Sequence, residues 1–300
     1  MDIEEIDIPY LDNKPPKFKA NLYPLPHKEH VLRPYSIVGA IGCRGSGKTF
    51  SVVKLLKNME DSGYYDPLTK DKVKLRHILF SPTAASNPVF SALKYLDEDD
   101  IINDYTDEKL IEIVEEIKAE RKVLKEYKEY VAEYKKYEKM TDEQVEKSRD
   151  YKMLAVLESK NFIDYRELDK PPYFIYNVIL DDCLANREAF SAKKANTLTK
   201  TILNSRHIGI NLMICSQNLK SIPKIVRNNV DVWVLFKCKN EKVLMDDLYP
   251  EISSLYTPQE FLMYYNYATM DDHDALVFDA KEPKKENRMK LNFDKIIRLK

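Results

Sequence analysis

GCRGSGKT, Gly42–Thr49, follows the apolar run YSIVGAIG (Tyr35–Gly42) and precedes SVVKLLKNM (Ser51–Met59). That order predicts a buried strand, a glycine-rich loop and a helix that leaves the loop. Glycines let successive backbone N–H groups converge on phosphate oxygens, and a helix N-terminus favours anions. Lys48 is placed to reach the β- and γ-phosphates of a nucleotide, and the Thr49 hydroxyl to bind Mg²⁺. Gly42, Cys43, Arg44, Gly45, Ser46, Gly47, Lys48, Thr49 and Phe50 are therefore the candidate nucleotide contacts. The chain has only 6 glycines, where average usage of about 7% would give roughly 20. Gly39, Gly42, Gly45 and Gly47 fall in this one short segment, which marks a close approach of backbone to something else.

Four further apolar runs lack period-two alternation: FIYNVILDD (Phe174–Asp182), INLMICSQ (Ile210–Gln217), DVWVLFKC (Asp231–Cys238) and ALVFD (Ala275–Asp279). HILFSP (His77–Pro82) is another strand candidate. Such runs suit strands covered on both faces, so the sheet is expected to be mainly parallel and the fold α/β. Asp181 and Asp182 end one strand, at the carboxyl edge where ligands bind in such sheets. Asp181 suits a Mg²⁺-holding role and Asp182 the polarising of an attacking water, although adjacent acids also suit a helix cap. Gln217 ends the next strand, and its amide both donates and accepts. It suits a γ-phosphate sensor or an ordinary solvent-facing glutamine. Arg206 in NSRHIGI suits an arginine finger reaching a neighbouring subunit's nucleotide, or a structural ion pair. Arg227 is a second finger candidate, His207 reads as a packing or hydrogen-bonding residue rather than a catalytic one, and Lys193 and Lys194 as phosphate contacts or plain surface lysines.

Residues 1–33 read as an N-terminal arm, 34–280 as the core domain, and 281–300 as a basic, peripheral segment. From about 97 to 165 the character changes. Asp107 to about Lys139 contains no Gly or Pro and is dense in Glu, Lys and Tyr. Leu110, Ile113, Ile117, Leu124, Tyr127, Val131 and Tyr134 recur at helical spacing, with Val123, Tyr130 and Tyr137 in a second register. A long amphipathic helix is expected, with Thr141–Glu158 returning as its partner in an inserted helical hairpin. Net charge is −1, so any basic surface must be local. Cys43, Cys183, Cys215 and Cys238 show no metal spacing and read as reduced and intracellular. No apolar run approaches the roughly 18 residues of a membrane span, and the acidic N-terminus does not resemble a signal peptide.

The order GCRGSGKT, VILDDC, NSRH before a strand ending in SQ, then IPKIVRNN, resembles the FtsK–HerA superfamily of DNA-pumping ATPases. The RH before that strand and the IP–x–x–x–R after the glutamine are similar to genome-packaging ATPases of large DNA viruses and virophages. The likeness covers about Tyr35–Ser81 and Phe174–Asp279. It implies a P-loop NTPase with a mainly parallel central sheet flanked by helices, using ATP and Mg²⁺. It further implies a homo-oligomeric ring, pentamer or hexamer, that drives double-stranded DNA into a preformed capsid. Lys48, Thr49, Asp181, Asp182 and Gln217 would serve one subunit's ATP, and Arg206 would act in trans. Many relatives carry Glu where Asp182 stands. A capsid vertex protein as partner, and a place in the host cytoplasm, at the viral assembly site or on the virion, follow from the same likeness. Rival classes fit less well. A small-molecule kinase needs an arginine-bearing lid, yet arginine is scarce between Asp107 and Glu158; a GTPase needs an NKxD sequence, which is absent. An interaction protein with a structural P-loop remains a distinct class, separable by ATP turnover.

Overall fold

Ile37–Ile41 (β2) is buried at every position, and the rest of the sheet is assembled around it. The computed structural model describes residues 23–29, 31–183, 197–238, 241–252 and 255–299. Most of the expected N-terminal arm, together with Lys193 and Lys194, lies outside the described residues. In chain order the other strands are β1 (Leu25–Pro26), β3 (Tyr64–Tyr65), β4 (Lys72–Phe80), β5 (Ile101–Ile102), β6 (Phe174–Leu180), β7 (Ile210–Ser216), β8 (Val232–Phe236), β9 (Ala275–Asp279), β10 (Met289–Leu291) and β11 (Lys295–Ile296). They form one sheet in the order β1-β3-β4-β6-β7-β2-β8-β9-β10-β11, with β5 beside β4. The central strands β4, β6, β7, β2 and β8 run parallel, and antiparallel strands extend the sheet on both sides. All five parallel strands thus deliver their carboxyl ends to one edge.

The helices are α1 (Lys48–Ser62), α2 (Asp107–Tyr137), α3 (Asp142–Glu146), α4 (Tyr151–Glu158), α5 (Thr197–Leu203), α6 (Ser205–Ile208), α7 (Lys224–Arg227), α8 (Glu241–Val243), α9 (Tyr249–Ile252) and α10 (Pro258–Ala268). On one face of the sheet α1 buries Val52, Val53, Leu55, Leu56 and Met59 against Val38, Ala40, Leu79, Ile179 and Met213. On the other, α2 buries Leu110, Ile113, Val114 and Ile117 against Ile78, Phe80, Tyr176 and Val178, beside residues of α5, α6 and α10. Each such side chain contributes about 1.5–3 kcal/mol of burial free energy, against chain entropy. Helices on both faces explain why the strands read as unbroken apolar runs.

Thr106 caps α2 by accepting from the Lys109 N–H, acids occupy its first turn, and Lys135 and Lys136 its last, all matched to the helix dipole. The return is two helices rather than one: Thr141 and Gln144 form a capping box on α3, and Asp150 caps α4 afresh. Beyond the sheet, Tyr130 of α2 packs with Met153 and Leu157 of α4 in a small separate core. Val123, expected on the apolar seam, is 52% exposed. β4 begins five residues before the expected His77, because Lys72–Arg76 alternates exposed and buried positions at the margin of the sheet. Residues 281–299 are not peripheral. They supply β10 and β11, with Met289 buried and the Lys290 ammonium paired with Asp279 at 2.9 Å. No helix among the described residues is long and apolar enough to cross a membrane.

Candidate active site

The phosphate loop is stitched to the strand beside it: Ile41 pairs with Ser216 in β7, and the Gly42 N–H donates to the Ser216 carbonyl at 3.1 Å. Gly45 and Gly47 take φ of 76° and 101°, conformations that side chains adopt at a cost. At Gly42 a Cβ would stand 2.4 Å from Ser46 Oγ and 2.7 Å from Phe236 Cβ. The Ser46 Oγ is buried with no hydrogen-bond partner among the described residues, as expected of a group whose partner is a ligand. Cys43, Arg44 and Gly45 are exposed, and Phe50 is exposed on the first turn of α1.

Lys48 is 6% exposed, and its ammonium donates to the carbonyls of Gly42 and Cys43 at 2.9 Å each. The charge is thereby held over the loop that would surround a phosphate. The Thr49 Oγ1 donates toward Asp181, 3.0 and 3.1 Å from its two carboxylate oxygens. Asp181 is 1% exposed, and burial pushes its carboxyl above the usual range against opposing hydrogen bonds from Cys215 and Thr49. Burial also pushes the Cys215 thiol up, so it stays a donor. A buried acid kept costly in its charged form is a site that gains when a cation arrives.

The strand order decides the class. The strand that ends just before Asp181, β6, is separated from the loop strand β2 by β7 alone, so Thr49 and Asp181 meet across the end of β7. The chain has a P-loop NTPase fold. Gln217 follows Ser216 directly, at the end of that intervening strand, exposed beside Gly42. Asp182 is exposed and has φ of 52°, a left-handed conformation that aspartate visits more readily than most residues and that often marks a functional turn.

The structure assembles the loop residues, Asp181, Asp182 and Gln217 at one edge, and places Arg206 elsewhere. Arg206 lies on α6, before β7 begins, so the length of a seven-residue strand, about 20 Å, separates it from its own P-loop. It lines a cavity of about 780 Å³ with Tyr35, Asp279 and Lys281. Arg227 is engaged within the subunit, its Nε 3.2 Å from Glu251. His207 is exposed. Two residues at this edge carried no motif. Cys215 faces the acid from β7, and His273, with φ of 69°, packs beside Gly47, where an added Cβ would stand 3.4 Å from the His273 Cβ. His273 arrives there because β9 is antiparallel to β8 and so begins at the P-loop edge.

Among the described residues no cluster of three or more His, Cys, Asp or Glu side chains forms a metal site. Thr49 and Asp181 offer two oxygen ligands, the partial set Mg²⁺ takes from protein when nucleotide phosphates and waters supply the rest.

No protein-family model matches the chain, and no curated protein matches it. Among solved structures it is similar to the genome packaging NTPase B204 from Sulfolobus turreted icosahedral virus 2 in complex with ATP-gammaS, at 14% identity and TM-score 0.42, over 85% of this chain and 95% of that one. EssC (ATPases 2 and 3) from Geobacillus thermodenitrificans is 16% identical with TM-score 0.38, over 87% of this chain and 40% of that one. The cytoplasmic domain of the type VII secretion ATPase EccC from Thermomonospora curvata is 11% identical with TM-score 0.40, over 88% of this chain and 24% of that one.

Proposed function

We propose that this chain is an ATP-hydrolysing motor subunit that moves double-stranded DNA, as part of a homo-oligomeric ring that fills a viral procapsid. The observation that carries the hydrolytic part is the 3.0 Å contact of Thr49 with Asp181 across the end of β7, with Asp182 and Gln217 at the same edge. A phosphate entering the loop would meet converging N–H groups, the Ser46 hydroxyl and the Lys48 ammonium, which exchanges two carbonyl partners for phosphate oxygens. Mg²⁺ held by Thr49 and Asp181 would supply neutralisation of the charge developing on the phosphates. Asp182 accepts a proton from, or orients, the attacking water, and Gln217 positions it from between the acids and the loop. Arg206 cannot reach its own P-loop across the sheet, so its role as a finger belongs to the neighbouring subunit's ATP.

The DNA-moving part rests on the motif order and on the trans placement of Arg206, since a finger supplied between subunits makes turnover depend on assembly. Stoichiometry, pentamer or hexamer, a capsid vertex protein as docking partner, and work at a viral assembly site in the host cytoplasm or on the virion belong to the same proposal. Steady-state ATPase measured against protein concentration, with and without double-stranded DNA, tests it. Turnover per subunit should rise with assembly and with DNA. Full activity in a proven monomer indifferent to DNA would overturn the motor reading. Arg206→Ala should lower turnover by roughly 10³-fold while nucleotide binding persists; intact turnover would remove the finger assignment.

A further inference from the structure

The acids and bases of α2 have different partners. Glu116 and Glu120 turn to Arg76, at 2.7 and 3.4 Å, and Glu120 also accepts from the Tyr176 hydroxyl. Lys118, Arg121, Lys122, Lys125 and Lys128 line a groove of about 490 Å³ together with His207 and Tyr173, and no acid lines it. In a chain of net charge −1, this is a local concentration of one sign.

Two of the five cations are built into the fold. Arg121 lies over Gly209 so closely that a Cβ there would fall 1.6 Å from its Nη1, and it donates to the Tyr35 hydroxyl at 3.3 Å. Lys128 pairs with Asp66 at 2.5 Å and lies over the Tyr173 ring. The other three project from the helix with weak local partners. Lys118 stands 3.6 Å from Glu115 and Lys122 3.9 Å from Glu126, both exposed pairs, and Glu129, which faces Lys125, is taken by Lys152 at 2.7 Å. Exposed pairs of this kind are worth a few tenths of a kcal/mol, so an incoming anion loses little in replacing them. The next groove is lined by Lys118, Lys200 and His207 together with Glu115.

From Lys118 to Lys128 the helix rises about 15 Å, and along that length one strand of B-DNA presents roughly four phosphates. A straight row of cations at three- and four-residue steps matches a regularly charged rod better than a compact anion. We infer that this stripe of the inserted hairpin is the surface on which the subunit holds the phosphate backbone of double-stranded DNA. It lies toward the sheet edge opposite the P-loop, on the side of α6, so DNA and nucleotide do not compete. This inference rests on the DNA-motor reading above.

The test is binding of a fluorescent duplex of about 30 bp by the full chain across a salt series. The stripe variant is Lys118→Gln, Lys122→Gln, Lys125→Gln. A control with equal charge change on the same hairpin is Lys109→Gln, Lys135→Gln, Lys139→Gln. The stripe variant should lose tenfold or more in affinity, its log–log salt slope should shrink by about 2.7, and DNA-stimulated ATPase should fall while ATPase without DNA is unchanged. The control should bind as the wild type does. Equal binding by the stripe variant, or equal loss in both variants, overturns the stripe while leaving the motor reading intact. Unchanged duplex binding with lost binding to vesicles containing an anionic lipid overturns it in favour of a membrane surface. A wild-type protein that hydrolyses ATP yet binds no duplex overturns the motor reading and this inference together.

Discussion

The Asn211 side-chain amide donates to Asn177 Oδ1 at 2.8 Å, between β7 and β6, with both residues fully buried. The contact is the middle of a polar row crossing the sheet. The Ser36 N–H donates to Asn211 Oδ1 at 2.8 Å, and the Asn177 amide lies 3.0 Å from His77 Nδ1. With Asn177 donating there, His77 carries its proton on Nε2 and donates to Glu60 of α1 at 3.2 Å. Burial works to raise the Glu60 pKa, and donors from His77, Lys57 and the Lys94 backbone outweigh it and hold the carboxyl below its usual range. Every polar atom in the row has a partner because its neighbour is in register: His77, Asn177 and Asn211 are direct cross-strand partners. Asn177→Ala would orphan two buried groups and open a cavity. A loss of about 3 kcal/mol or more is expected, read as a lower urea midpoint at unchanged slope.

The loop glycines should respond unequally to alanine. At Gly42 the new methyl meets Ser46 Oγ and the Phe236 Cβ inside contact distance, whereas at Gly45 nothing lies within 4 Å. Gly45→Ala carries only the left-handed backbone cost, about 1–2 kcal/mol. Gly42→Ala must move the loop against β8. Titration with a fluorescent ATP analogue should show tenfold or greater loss for Gly42→Ala and a several-fold smaller change for Gly45→Ala.

The tip of the hairpin is a cooperative unit of its own. Tyr130 is 1% exposed, packs with Met153 and Leu157, and donates to the Ile163 carbonyl at 2.6 Å. Tyr130→Ala removes the centre of that small core, a change worth about 3–5 kcal/mol for a buried aromatic. Because the cluster is separate from the sheet, the loss should appear as faster amide exchange across α4 and the end of α2. Exchange in β2, β6 and β7 should be unaltered, and ATP turnover without DNA should persist.

The P-loop, the acids and the parallel strands were legible in the sequence because each depends on local chemistry: glycines where backbone crowds, unbroken apolar runs where helices cover both faces. The start of β4 was not, since Lys72–Arg76 alternates like an exposed margin. Nor were β10 and β11, where three residues around Met289 carry the pairing and the surrounding lysines read as a solvated tail. The position of Arg206 follows from which end of β7 it precedes, so its motif marked a candidate finger without showing that it lies at the sheet edge opposite its own P-loop. Cys215 and His273 reach the site through strand order and an antiparallel return, which no spacing encodes. The cations of α2 are interleaved with glutamates in sequence, and only the wound helix brings Lys118, Arg121, Lys122, Lys125 and Lys128 to one groove.

Asp181 ties the chemistry to stability. Burial holds its carboxyl pKa above the ordinary aspartate value, so the folded state retains a proton that the unfolded chain has already released. Stability from this group is fully present below the unfolded pKa and is lost as pH rises through the raised folded pKa. Asp181→Asn has no such titration and keeps an oxygen for the Thr49 hydroxyl. Without nucleotide or Mg²⁺, the melting temperature of Asp181→Asn should therefore gain on that of the wild type as pH rises from about 4 to 7, with roughly 2–4 °C for each kcal/mol. Mg²⁺ and a slowly hydrolysed ATP analogue should reverse the order, because only the wild-type carboxylate adds a charged ligand to the bound state. Hydrolysis should be lost in the variant at every pH. Parallel melting curves for the two proteins from pH 4 to 7 would show that the buried carboxyl is not under this strain, and would remove the reason for expecting the cation to relieve it.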